Sequence, residues 1–268
     1  MDIFVLGGQS NMAGRGSGHL PPHYSGIDED VLCFSGNERW TPAQEPLHSD
    51  IDLRKRERCG FGPALVCARA LLTLRAAAGA PTRSTIGLVP CAIGGASLDE
   101  WQADYQGKSL HNHPQGSDSK TNGPWNYKAG TYNLFNAMTE RAMQALKLAP
   151  KGSHLRGVLW YQGETDAMHQ YSAETYSERF ERLVLSTRQH LSIPNLRFFT
   201  VAITGTTTRL VHLEKVREAQ ESVMSTTGLD NVWVADAFGL PMFPDGLHLT
   251  TSGQVELGER LARQVFAS

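Results

Sequence analysis

Five short apolar runs, each stopped by a turn and spaced by stretches of helical periodicity, constrain this chain more than any other feature. They fall at residues 3–6, 86–89, 155–161, 198–203 and 232–235. Runs of this length, mostly apolar instead of strictly alternating, are typical of strands buried on both faces. Apolar side chains at helical spacing occupy 64–78, 134–148, 173–191, 211–224 and 251–266. Strands alternating with helices pack as a mostly parallel sheet covered on both sides. The predicted fold is therefore α/β, a three-layer α/β/α sandwich around a five-stranded, mostly parallel sheet. The chain shows no internal repeat and no second core, so residues 1–268 are read as one domain.

Open sheets of this kind bind ligands beyond the carboxyl ends of their strands. The turns after the runs are thus where chemistry is expected. The first run ends in Gly7-Gly8-Gln9-Ser10-Asn11-Met12. The second leads into Pro90-Cys91-Ala92-Ile93-Gly94-Gly95-Ala96-Ser97, and the third into Gln162-Gly163-Glu164-Thr165-Asp166. A further turn, Pro244-Asp245-Gly246-Leu247-His248, precedes the last helix. On its own, the Ser10 turn permits three uses: a helix cap, a phosphate-cradling loop or a nucleophile.

Asp245 and His248 select among them. A serine hydroxyl is a weak nucleophile and needs an adjacent base to take its proton. A histidine serves as that base when a carboxylate fixes its tautomer and stabilises the imidazolium. Asp245 and His248 lie three residues apart in a glycine-containing turn, so one loop can hold both. Acyl transfer also needs donors aimed at the oxyanion. The candidates are the Ser10 N–H, the N–H of Gly94 or Gly95, and the Gln162 side-chain amide. The order Ser, Asp, His matches the α/β-hydrolases, but their serine sits in G-x-S-x-G and their acid and base come from separate loops. Gly8-Gln9-Ser10-Asn11-Met12 does not fit that pattern.

Composition removes other classes. With 25 Lys and Arg against 27 Asp and Glu, the formal charge of −2 offers no electrostatic footing for nucleic acid or an anionic membrane. No apolar run approaches the length of a transmembrane helix. The first residues already read as a strand, without a basic region or cleavage site ahead of them, and this points to the cytoplasm. Cys33, Cys59, Cys67 and Cys91 lack C-x-x-C spacing, so free thiols are expected, with a disulfide left open by the even count. Residues 14–60 show little periodicity and read as a long loop or as short elements that periodicity does not place. The charged run at 54–58, with Glu57 among its basic residues, reads as a solvated turn. Residues 104–130 read as a surface excursion. His111, His113 and Asp118 within it are weighed as metal ligands, and the loop reading is preferred. Nothing in the residues sets an oligomeric state.

Three ordered blocks carry a resemblance: Gly8-Gln9-Ser10-Asn11-Met12-Ala13-Gly14-Arg15-Gly16, Trp160-Tyr161-Gln162-Gly163-Glu164-Thr165-Asp166 and Asp245-Gly246-Leu247-His248-Leu249-Thr250. Together they resemble the SGNH-hydrolase branch that holds the sialate O-acetylesterase-like proteins and the acetylxylan esterases of carbohydrate esterase family 6. Glu45-Pro46-Leu47-His48-Ser49-Asp50-Ile51-Asp52 and Gly87-Leu88-Val89-Pro90-Cys91-Ala92 resemble its plant-type members. The resemblance implies a flavodoxin-like sandwich and a cofactor-free serine esterase acting on O-acetylated carbohydrates, small or polymeric. It implies Ser10 as nucleophile, His248 as base, Asp245 as orienting acid, and Gly94 or Gly95 in the oxyanion hole. The superfamily has an asparagine in its third block where this chain has Gln162-Gly163-Glu164. Gln162 is the expected donor there, and Glu164 and Asn11 are expected to support the site.

His48 and Trp101 are candidates for lining a sugar site, with packing as the alternative for each. Two rival functions stand beside the esterase reading. One is a same-fold esterase or thioesterase on non-carbohydrate acyl groups. The other is a catalytically silent carbohydrate-binding protein, which the intact Ser, Asp and His argue against.

Overall fold

The computed structural model describes residues 1–52, 59–79, 85–106 and 133–268. Among these, seven strands form one sheet: β1 (Asp2–Gly8), β2 (Asp28–Phe34), β3 (Trp40–Ala43), β4 (Ile86–Pro90), β5 (His154–Tyr161), β6 (Arg197–Ala202) and β7 (Val232–Asp236). Their order across the sheet is β3-β2-β4-β1-β5-β6-β7. All neighbours pair parallel except β2 with β3. The five expected strands are present and form the centre and one side. The sheet differs from the expected five strands in its other edge, which comes from the aperiodic 14–60 segment.

That edge hides from a periodicity search for physical reasons. Strand β2 opens Asp28-Glu29-Asp30, and only Val31 to Cys33 pair with β4. Strand β3 contains Pro42, which a strand tolerates at an edge, where β3 lies.

The helices are α1 (Ser10–Ala13), α2 (Ala64–Ala77), α3 (Leu134–Lys147), α4 (Gln170–Glu174), α5 (Tyr176–His190), α6 (Leu213–Glu221), α7 (Val223–Thr227) and α8 (Thr251–Ala267). Side chains alternate across a strand, and that alternation sorts the helices into two layers. Phe4, Leu88 and Leu159 line a small apolar cavity with Cys67 and Leu71 of α2 and Val265 of α8. On the opposite face, a Cβ added at Gly7 would lie 2.7 Å from the Trp160 ring and 3.4 Å from the Met138 sulfur of α3. Trp160 packs edge-on against Trp101 with centroids 5.2 Å apart, and against Phe180 of α5. With α2 and α8 on one face and α3 and α5 on the other, the three layers are complete.

Two expected helices are each broken in two. The pattern over 173–191 divides at Thr175, whose hydroxyl donates to the Tyr171 carbonyl and accepts from Arg179. The pattern over 211–224 divides at Ser222, whose hydroxyl donates to the Glu218 carbonyl at 2.6 Å. Such back-bonding hydroxyls compete with the helical ladder and bend or end it. The 54–58 run and the His111, His113 and Asp118 group lie outside the described residues.

Candidate active site

Central strand β1 delivers Ser10. A Cβ at Gly8 would stand 2.1 Å from the Tyr161 carbonyl oxygen of β5, and Gly8 has φ +122°. Only glycine lets the end of β1 lie this close to its neighbour. Ser10 then opens α1, and its N–H, in the first turn, has no intrahelical acceptor.

The loop before α8 delivers the partners. His248 Nε2 lies 3.0 Å from Ser10 Oγ, and His248 Nδ1 lies 2.7 Å from Asp245 Oδ2. The other Asp245 oxygen accepts the N–H groups of Leu247 at 2.9 Å and His248 at 3.0 Å. Burial pushes the Asp245 carboxyl upward, but these two N–H groups and the His248 ring outweigh it and hold it below the usual range. The loop bends at Gly246, with φ +66°, whose carbonyl accepts from Thr206 at 3.0 Å. Thr250 caps the start of α8 by accepting from the Gly253 N–H.

Asn11 joins the serine turn to the histidine loop. Its amide donates to the Leu247 carbonyl at 3.0 Å and its carbonyl oxygen accepts the Leu249 N–H at 3.0 Å, clasping His248 from both sides in sequence. The same amide donates to Glu164 Oε1 at 2.7 Å. Burial pushes the Glu164 carboxyl up to about 7, with the Asn11 bond acting against that rise.

The glycine pair sits beside the serine turn because the backbone stitches it there. Cys91 N–H donates to Leu6 at 2.9 Å and Ile93 N–H to Gly8 at 3.0 Å. The two glycines differ in role. Gly94 N–H donates to Asp52 Oδ2 at 3.1 Å, so this donor is already engaged. Gly95 has φ +72°, and a Cβ added there would meet open space. Among the described residues no protein group accepts its N–H.

Gln162 departs from expectation. It is fully buried, and its Nε2 donates to Asp166 Oδ2 at 2.5 Å and to the Ala96 carbonyl at 3.2 Å. An amide nitrogen carries two hydrogens, so these acceptors leave none for an oxyanion. Asp166 is in turn gripped by Arg179, whose other nitrogen pairs with Asp99, both at 2.8 Å. Gln162 is thus a strut between the third turn and the Ala96 turn.

His48 and Trp101 are both buried to within 1% of complete, which favours packing over a sugar-facing role. Burial also pushes His48 down to about 3, so its imidazole is neutral. Sequence reasoning missed Asp52 and its partner Arg15, 2.9 Å apart. The only signal for Asp52 was its place at the end of the plant-type stretch 45–52. Among the described residues no group of three or more His, Cys, Asp or Glu could hold a metal ion, and no helix is long and apolar enough to cross a membrane.

A family model described as carbohydrate esterase, sialic acid-specific acetylesterase, matches residues 1–267. A probable carbohydrate esterase of Arabidopsis thaliana is 36% identical over 279 residues, covering 99% of this chain and 90% of that protein. The crystal structure of the Arabidopsis protein superposes with a TM-score of 0.80 at 34% identity, covering 100% of this chain and 98% of the other. NanS, at 17% identity, shares the fold with a TM-score of 0.68 over 99% and 96% of the two chains. A carbohydrate acetylesterase from Xanthomonas citri does so with a TM-score of 0.65 at 20% identity, over 100% of this chain and 57% of that one.

Proposed function

Since the chain belongs to the carbohydrate esterases of the sialic acid-specific acetylesterase family, we propose that it removes O-acetyl groups from carbohydrates through Ser10, His248 and Asp245. One observation carries the reading: Ser10 Oγ lies 3.0 Å from a ring nitrogen of His248 whose other nitrogen lies 2.7 Å from Asp245. These are hydrogen-bond distances, the reach that proton transfer from a nucleophile to its base demands.

In the proposed reaction His248 Nε2 takes the Ser10 proton as Oγ attacks the acetyl carbonyl carbon. The carbonyl electrons move to oxygen, which the N–H groups of Ser10 and Gly95 receive. Asp245, held ionised, accepts from Nδ1–H and stabilises the imidazolium. The tetrahedral species collapses, its bond to the sugar oxygen breaks, and His248 protonates that oxygen as it leaves. Water then gives a proton to His248 and attacks the acetyl-serine, and acetate departs as Ser10 regains its proton. Asn11 keeps His248 in register with Ser10, and Glu164 anchors Asn11.

Acetate release from acetylated xylan, acetylated pectin and O-acetyl sialic acid, run beside a Ser10→Ala control, tests both chemistry and substrate class. At least one carbohydrate should be deacetylated, and the variant should lose at least about 10³-fold in turnover while keeping its circular dichroism spectrum. Turnover retained by Ser10→Ala would sink the nucleophile assignment.

A further inference from the structure

The turn that carries Ser10 and the turn that carries Gly95 are tied together by a buried ion pair that the proposed reaction does not use. Arg15, five residues beyond Ser10, donates from Nη1 to the Gly14 carbonyl at 2.8 Å. Its Nη2 lies 2.9 Å from Asp52 Oδ2, and that same oxygen accepts the Gly94 N–H. The Asp52 side chain is 0% exposed and that of Arg15 8%. A Cβ at Gly94 would stand 2.5 Å from Arg15 Nη2 and 3.0 Å from Asp52 Oδ2, so the pair occupies the space a side chain there would need.

We infer that Asp52 is a positioning residue for deacetylation, fixing the Gly94-Gly95 turn against the Ser10 turn so that both N–H groups meet one oxyanion. The inference rests on the reading of Ser10 as nucleophile and Gly95 as donor. A donor contributes most when it is already aimed at the site where charge develops. Peptide groups are planar, so anchoring the Gly94 N–H on Asp52 sets the plane from which the next N–H, that of Gly95, departs. Arg15 sets where Asp52 stands, because a buried carboxylate follows its cation. A loosened turn would still bind the ester but would hold the oxyanion less well. The loss therefore belongs in kcat more than in KM.

The test uses the full chain, p-nitrophenyl acetate, and titration of reactive serine with a fluorophosphonate. Asp52→Asn keeps the shape and an acceptor oxygen while removing the charge that holds Arg15. Expected is a kcat per titrated site about tenfold to a hundredfold below wild type, with KM within about threefold. Arg15→Lys, which keeps the charge and loses the fork, should fall between the two and serves if Asp52→Asn does not fold. A purely structural Asp52 would lower the titrated fraction and the melting temperature. It would leave kcat per titrated site within about twofold of wild type, and that result overturns the inference. Wild-type protein that fails to label at Ser10 would remove the nucleophile reading and this inference with it. Labelling at Ser10 together with an unaffected Asp52→Asn variant removes the inference alone.

Discussion

At Glu164, burial outweighs hydrogen bonding, and the carboxyl is pushed up to about 7. A carboxyl with a raised folded-state pKa keeps a proton that the unfolded chain gives up, so stability falls as pH climbs through the gap. For Glu164 that gap runs from its ordinary 4.5 to about 7, and Glu45 has the same one. Asp245 acts the other way: held below the usual range, it contributes stability at neutral pH that is lost as acid protonates it. Glu164→Gln should therefore lose less stability than wild type between pH 5 and pH 8, by at most about 3 kcal/mol. Urea midpoints at the two pH values measure this, and parallel declines in the two proteins would refute it. At this scale the sequence was legible where chemistry demands a set. A serine nucleophile needs a base and the base needs an acid, and Ser10, His248 and Asp245 stand within hydrogen-bonding distance. It was not legible where a role depends on burial. His48 and Trp101 read equally well as site or core, and Gln162 read as a donor until its two acceptors were seen. Nor was Asp52, whose partners Arg15 and Gly94 stand 37 and 42 positions away with no periodicity to join them.

Among the elements, α2 and α8 approach closely enough to exclude a single methyl group. A Cβ at Gly258 of α8 would meet the Pro63 carbonyl oxygen at 2.6 Å and Val66 Cβ at 2.7 Å. Gly258→Ala should lower stability by about 1–3 kcal/mol, because one backbone must give way. Since α8 follows directly on the His248 loop, esterase turnover should fall as well. An unchanged denaturation midpoint would contradict the close approach. Elements with one strong period were readable to within a residue or two of their ends, as at α3, β5 and α8. Elements that carry acid residues, a proline or a back-bonding hydroxyl, namely β2, β3 and the breaks at Thr175 and Ser222, were not. In each of these the tertiary setting supplies what local pattern lacks: β4 for β2, an open sheet edge for Pro42.

Across the molecule, one apolar cluster of the described residues runs from the α2 and α8 layer through the sheet to α3 and α5. We expect one unfolding transition, with urea curves from circular dichroism and from residual esterase turnover superimposing. Two separated transitions would instead indicate two units. The pairing of Ser10 with His248 reaches across 238 positions of the chain. At ordinary elongation speeds of about 5–20 residues per second, the serine leaves the ribosome roughly ten to fifty seconds before the histidine exists. Through that interval the hydroxyl is an ordinary alcohol with no partner to arm it. Under the proposed mechanism, the protein cannot act on acetyl groups it meets while being made, and it would switch on only when the last turn folds back onto the first.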